Sequence, residues 1–156
     1  MPLLSDDNSP AGFFPDTSVN PEEVSIDVLA YIGDAVFNLY AKLFVLRDTK
    51  VDRLHRGASR LVSRDGQSRL LGIIEPLLNE KELGVVRRGI NSKGARRHGG
   101  DKRYMRSTGF EALVGYLYLT DRSRLKALLE VALRSDVEDI STDADDLKRS
   151  SEVEKR

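Results

Sequence analysis

The chain has 156 residues, 40% of them apolar and 32% charged, which fits one domain around one core. It contains no cysteine, so disulfides, zinc–thiolate sites and thiol nucleophiles are excluded, and its two histidines, His55 and His98, are too few for a histidine-rich metal site. Net charge is zero, yet the window from Arg87 to Arg106 holds eight Lys or Arg against one acid, Asp101, which leaves −7 for the rest of the chain. Such a local basic patch suits a polyanionic partner or a solvated loop, and charge alone weighs the two equally.

Residues 1–20 contain three prolines with Ser, Asn and Asp and read as an irregular arm. This acidic start lacks the basic-then-apolar order of a secretory signal. No apolar run approaches the roughly 20 residues that span a membrane, so the expected location is the cytoplasm. Pro21 with Glu22 and Glu23 predicts a helix start capped by Asn20. From Val24 to Leu46, apolar residues recur at helical spacing on two faces, which predicts a helix buried on most sides. Gly33 inside it marks a bend or a close backbone approach. Asp48 and Thr49 close that element.

The stretch from Val51 to Leu78 predicts two helices split near Asp65 and Gly66, with Pro76 at the end of the second. Asn79 and Glu82 form a capping-box pattern for a further helix up to Asn91. Residues 92–106, with three glycines and many cations, read as a long loop. Ser107 or Thr108 is the expected cap of an apolar helix, GFEALVGYLYLT, and RSRLKALLEVALR predicts a last one. Domain boundaries follow: an arm over 1–20, a domain over 21–136, and an acidic tail over 137–156 expected to stay disordered. With no strand, hairpin or repeat signal, the fold class is all-α.

Two lone acids stand out. Asp34 is the one charge in AYIGDAVFNLY, and Glu111 the one charge between Arg106 and Asp121. A buried carboxylate needs a cap, a cationic partner or a function. Asp34 could cap a helix resuming after Gly33, and Glu111 could sit in a first turn, where the helix dipole favours an anion. Alternatively the two share a site, where like charges raise each other's pKa unless a cation lies between them. Oxygen ligands without cysteine point to Mg²⁺, with Mn²⁺ as a substitute.

LAYIGDAVFNLY resembles the signature helix of the ribonuclease III family, and STGFEALVGYLYL resembles its second acidic helix. LHRGASRLVS and RRGINSK resemble segments of the Mini-ribonuclease III group, which consists of the catalytic domain without a double-stranded-RNA-binding domain. The resemblance covers residues 24–135. It implies the family's helical catalytic fold as a two-fold homodimer, with Tyr31 at the family's dimer-interface position. It implies an Mg²⁺-dependent endoribonuclease that cuts double-stranded RNA to 5′-phosphate and 3′-hydroxyl ends. The implied catalytic and metal-ligating residues are Asp34 and Glu111. The implied role is maturation of the 23S ribosomal RNA precursor, with a ribosomal-protein helper left open.

Phosphate-binding side chains suggested by the basic segment are Arg88, Lys93, Arg96, Arg97, Lys102, Arg103 and Arg106, with Asn91 suited to sugar hydroxyls. The chain also departs from the family. Ala30 and Thr108 stand where the wider family keeps carboxylates, and Ile90 replaces a cation of the Mini group. These departures leave two alternatives in view: a catalytically weak or inactive RNA-binding module, and an all-α protein-interaction domain.

Overall fold

A computed structural model describes the backbone of residues 14–15, 17–46 and 50–153, with side chains up to residue 139. Most of the expected arm, Asp48, Thr49 and the side chains of most of the expected tail lie outside the described residues. The described chain is all-α. Its α-helices are α1 (Ile26–Phe44), α2 (Val51–Val62), α3 (Arg64–Ile74), α4 (Glu80–Ile90), the single turn α5 (Lys93–Arg96), α6 (Lys102–Thr120) and α7 (Arg122–Val153). Short 3₁₀ turns occupy Pro21–Glu23 and Glu75–Leu77. Among the described residues, no helix is long and apolar enough to cross a membrane.

Several helix ends differ from the sequence expectation, each for a local reason. Asn20 does act as a cap, accepting from Glu22 N, but the turn it starts ends at Glu23. Ser25 then caps α1 by accepting from Val28 N. The break between α2 and α3 falls at Ser63, which ends one helix and caps the other through Gly66 N. Asn79 and Glu82 form the capping box, each side chain bonded to the other's backbone N–H. The loop expected over 92–106 is much shorter: α5 interrupts it, and Asp101 caps α6 by accepting from Arg103 N and Tyr104 N. Ser107 and Thr108 are therefore not caps. Both lie inside α6 and donate their hydroxyls back to the Tyr104 carbonyl.

Helix α6 is the central element and packs against α1, α3, α4 and α7. Its run from Ser107 to Leu117, buried except at Glu111, meets α1 most intimately, where Phe37 and Phe110 stack edge to face with centroids 4.9 Å apart. The contact is close because glycines face backbone. A methyl on Gly33 would lie 1.7 Å from the Glu111 carbonyl oxygen, and one on Gly115 would lie 2.0 Å from that of Leu29. Gly33 thus marks a close approach and not a bend, since α1 runs through it unbroken.

Helix α1 buries one stripe, Leu29, Gly33, Phe37 and Ala41 at four-residue spacing, with Ala30 beside it. Its second apolar face, expected to be covered, is open to solvent within this chain: Val28, Tyr31, Leu39 and Leu43 are all exposed.

Ion pairs fasten the periphery. Asp136 on α7, 1% exposed, receives Arg60 from α2 and Arg69 from α3. Arg124 at the start of α7 bonds both Glu82 oxygens and the Leu77 carbonyl. Beyond Asp136 the backbone of α7 stays helical to Val153, through the acidic segment for which composition predicts disorder. Once the packed part of a helix has met the cost of nucleation, each further residue adds with little cost.

Gly33→Ala is expected to lower stability by about 1–3 kcal/mol or more, because neither backbone can yield locally. Gly84→Ala, on α4 with open space around it, is expected to raise stability by about 0.5–1 kcal/mol. Urea unfolding midpoints check both.

Candidate active site

One cavity of about 540 Å³ lies between the first half of α1, the turn α5 and the first half of α6. From α1 it is lined by Asp27, Ala30, Tyr31 and Asp34, and from α6 by Tyr104, Thr108 and Glu111. Gly94 and Arg97 close the third side. Residues at i, i+3, i+4 and i+7 share a helix face, so each helix presents one continuous line to the cavity.

Neither lone acid is a helix cap. Asp34 sits within α1 and Glu111 is the tenth residue of α6, far past the first turn. Asp34 is exposed, and its Oδ1 accepts from Asn38 Nδ2 at 2.9 Å, while that amide also reaches the Asp34 carbonyl at 2.8 Å. Glu111 is half-buried. Burial, and then the neighbouring Asp34 charge, push its carboxyl up to about 7, with only the Gln67 amide acting in the other direction. Among the described residues no Lys or Arg forms an ion pair with either acid.

The donor set suits a divalent cation held by few protein oxygens. Two carboxylates without a balancing cation fit an ion that keeps much of its water shell, as Mg²⁺ does. A cage of three or more acidic or histidine side chains is not formed among the described residues. Ala30 offers a methyl group, and the Thr108 hydroxyl is engaged with the Tyr104 carbonyl.

The cations expected to bind phosphate divide by surroundings. Arg97 lines the cavity, and Lys93, Arg96 and Lys102 are exposed beside it without an acidic partner among the described residues. Arg103 and Arg106 are ion-paired, to Asp65 at 3.0 Å and to Glu75 at 2.9 Å. Arg88 and Asn91 do not line the cavity. Arg88 acts on Glu22, and the Asn91 amide donates to the Arg87 carbonyl at the end of α4.

Three residues that sequence reasoning passed over belong to this region. Asp27 lies seven residues before Asp34, on the same face, and its Oδ1 would be 2.8 Å from a methyl on Gly94, so α5 rests on it. Tyr104 lies seven before Glu111, its ring 3.9 Å from that of His98 and beneath the Arg64 guanidinium. Both were readable as two helical turns from a known acid. Gln67 is the third, and it occupies an apolar-stripe position of α3 with Leu70, Leu71 and Ile74.

The raised Glu111 carboxyl has a consequence for stability. In the unfolded chain it titrates near 4.5 and in the metal-free fold near 7, so between these values the folded state holds the extra proton. Stability from this group is present at low pH and lost as pH rises through about 7. Metal-free Glu111→Gln is therefore expected to melt above wild type at about pH 8, with the gap closing toward about pH 4. Thermal melts across that range check the sign.

The family profile described as a ribonuclease III domain matches residues 27–122. A protein from Kosmotoga olearia named Mini-ribonuclease 3 is 46% identical over 117 residues, which cover 73% of this chain and 81% of that one. One of the same name from Symbiobacterium thermophilum is 42% identical over 121 residues, covering 72% and 91%. A crystal structure of a Fusobacterium nucleatum protein superposes with a TM-score of 0.65 at 23% identity, covering 73% of this chain and 95% of that one, and supports the fold. The matched span contains both lone acids, the cavity between them and the helices that carry it, and the chain belongs to the ribonuclease III family, in its Mini-ribonuclease III group.

Proposed function

We propose that this endoribonuclease cleaves double-stranded RNA with Mg²⁺ held by Asp34 and Glu111, Mn²⁺ serving as a substitute. The observation that carries the reading is the pairing of these two carboxylates in one cavity where, among the described residues, no Lys or Arg, Arg97 included, forms an ion pair with either. A divalent cation bound there supplies a water of lowered pKa and neutralises charge on the scissile phosphate. Asn38 steadies Asp34 from one turn further along α1. Arg97, on the cavity wall, is suited to a phosphate of the RNA backbone. Lys93, Arg96 and Lys102 extend that contact along the RNA backbone, a mode that suits the shape-read minor groove of A-form RNA. Products carry 5′-phosphate and 3′-hydroxyl ends.

The chain acts as a two-fold homodimer, one subunit for each strand. Support comes from the open face of α1, where Tyr31 is 77% exposed, and from an apolar groove of about 490 Å³ lined by Ile32, Val36, Leu39, Leu43, Tyr118 and Leu119. The substrate is the 23S ribosomal RNA precursor, met in the cytoplasm, with a ribosomal-protein helper as a further partner.

Asp34→Asn and Glu111→Gln are each expected to slow cleavage of a long RNA duplex in Mg²⁺ by about a hundredfold or more, while a gel shift still registers duplex binding. A wild-type protein that binds the duplex without cutting it would sink this reading and favour a binding module, to which Ala30 and Thr108 give weight. For assembly, Leu39→Glu combined with Leu43→Glu is expected to leave a folded monomer by light scattering, where wild type runs as a dimer.

A further inference from the structure

Gln67 is 1% exposed, and neither its Oε1 nor its Nε2 closes a hydrogen bond of full geometry. Such an amide is costly. An unsatisfied buried polar group costs about 1–3 kcal/mol, and an apolar side chain of the same size would remove that cost. The three other members of its stripe, Leu70, Leu71 and Ile74, are apolar and fully buried. The position is also rigid. Ser63 caps α3 through Gly66 N, and a methyl on Gly66 would come within 2.2 Å of the Arg60 carbonyl oxygen, so the α2–α3 corner is tight. Helix α3 packs on α6, and the Gln67 carboxamide lies within reach of the Glu111 carboxylate.

A carboxylate ligand has two oxygens and a free terminal torsion, and a donor fixed on one oxygen sets the direction of the other. On α6 itself nothing does this for Glu111. One turn before it stands Thr108, whose hydroxyl is turned back to the Tyr104 carbonyl. The rigid neighbour with a free N–H is Gln67. We propose that Gln67 is a positioning residue of the active site: its buried carboxamide donates to one Glu111 oxygen and presents the other to the divalent cation. This inference rests on the metal-site reading above and adds a third helix, α3, to the site.

The test uses Mn²⁺ alone, with no RNA, read by electron paramagnetic resonance of the free ion beside thermal unfolding of the same samples. Gln67→Met keeps the volume and removes the amide. It is expected to bind Mn²⁺ about 10–100-fold more weakly than wild type while its melting temperature holds or rises. Gln67→Asn, with an amide one methylene too short, is expected to lose affinity as well. Either folded variant binding Mn²⁺ as tightly as wild type overturns the proposal. So does a lowered melting temperature with unchanged affinity per folded molecule, which makes Gln67 a packing residue only. Wild type binding Mn²⁺ no better than Glu111→Gln removes the metal-site reading itself, and this inference with it.

Discussion

The arrangement depends on one contact, the crossing of α1 and α6 at Gly33 and Gly115. Each glycine faces the partner backbone at a distance no side chain permits, Gly33 on the Glu111 carbonyl and Gly115 on that of Leu29. Asp34 is the next residue after Gly33, and Glu111 is the residue Gly33 touches. The separation of the two acids is therefore set by two backbones in contact and not by the reach of flexible side chains. The single cation proposed between these two helices would need this kind of support. The large neighbours Phe37 and Phe110 fill the space just beyond the crossing and keep it from sliding.

Charge in the rest of the molecule obeys a different rule. Asp136 is more deeply buried than Glu111, yet two guanidinium groups meet it. Glu82, nearly as buried, is held below the usual carboxylate range by Arg124 and by its own capping box. Structural acids are thus matched within the fold, and the pair in the cavity is not. The same basic segment that supplies Arg97 to the cavity leaves Lys93, Arg96 and Lys102 without acidic partners among the described residues. Unbalanced anions beside unbalanced cations form a surface prepared for a ligand that carries both signs, such as a cation with a phosphate.

Asp34 and Glu111 were legible in the sequence because each is the one charge in a long apolar run, and such a residue has few explanations. The all-α class and most helices were legible from apolar period and from caps such as Asn79 with Glu82. The start of α6 was hidden, because it opens on the exposed cations Lys102 and Arg103 and shows no apolar period there, and Asp101 was counted as a charge and not as a cap. Gln67 was hidden for the opposite reason. It sits where a leucine is expected, and only the neighbour across the helix interface gives its amide a meaning. The exposure of Tyr31 was hidden too, since apolar pattern marks a face for burial without saying whether the cover is the same chain.

That last ambiguity links assembly to chemistry. Helix α1 is divided into three stripes. One is buried on α6, one is the apolar face through Val28, Leu39 and Leu43, and between them runs the line of Asp27, Tyr31 and Asp34. Tyr31 borders both the cavity and the open face. A second copy seated on the open face would press on Tyr31, the ring that forms part of the cavity wall beside Asp34. Covering that ring would also narrow the mouth of the cavity, and a drier site would strengthen any attraction of Asp34 and Glu111 for a cation. On this geometry a second copy would do more than place two cutting sites side by side, because it would finish the wall of each.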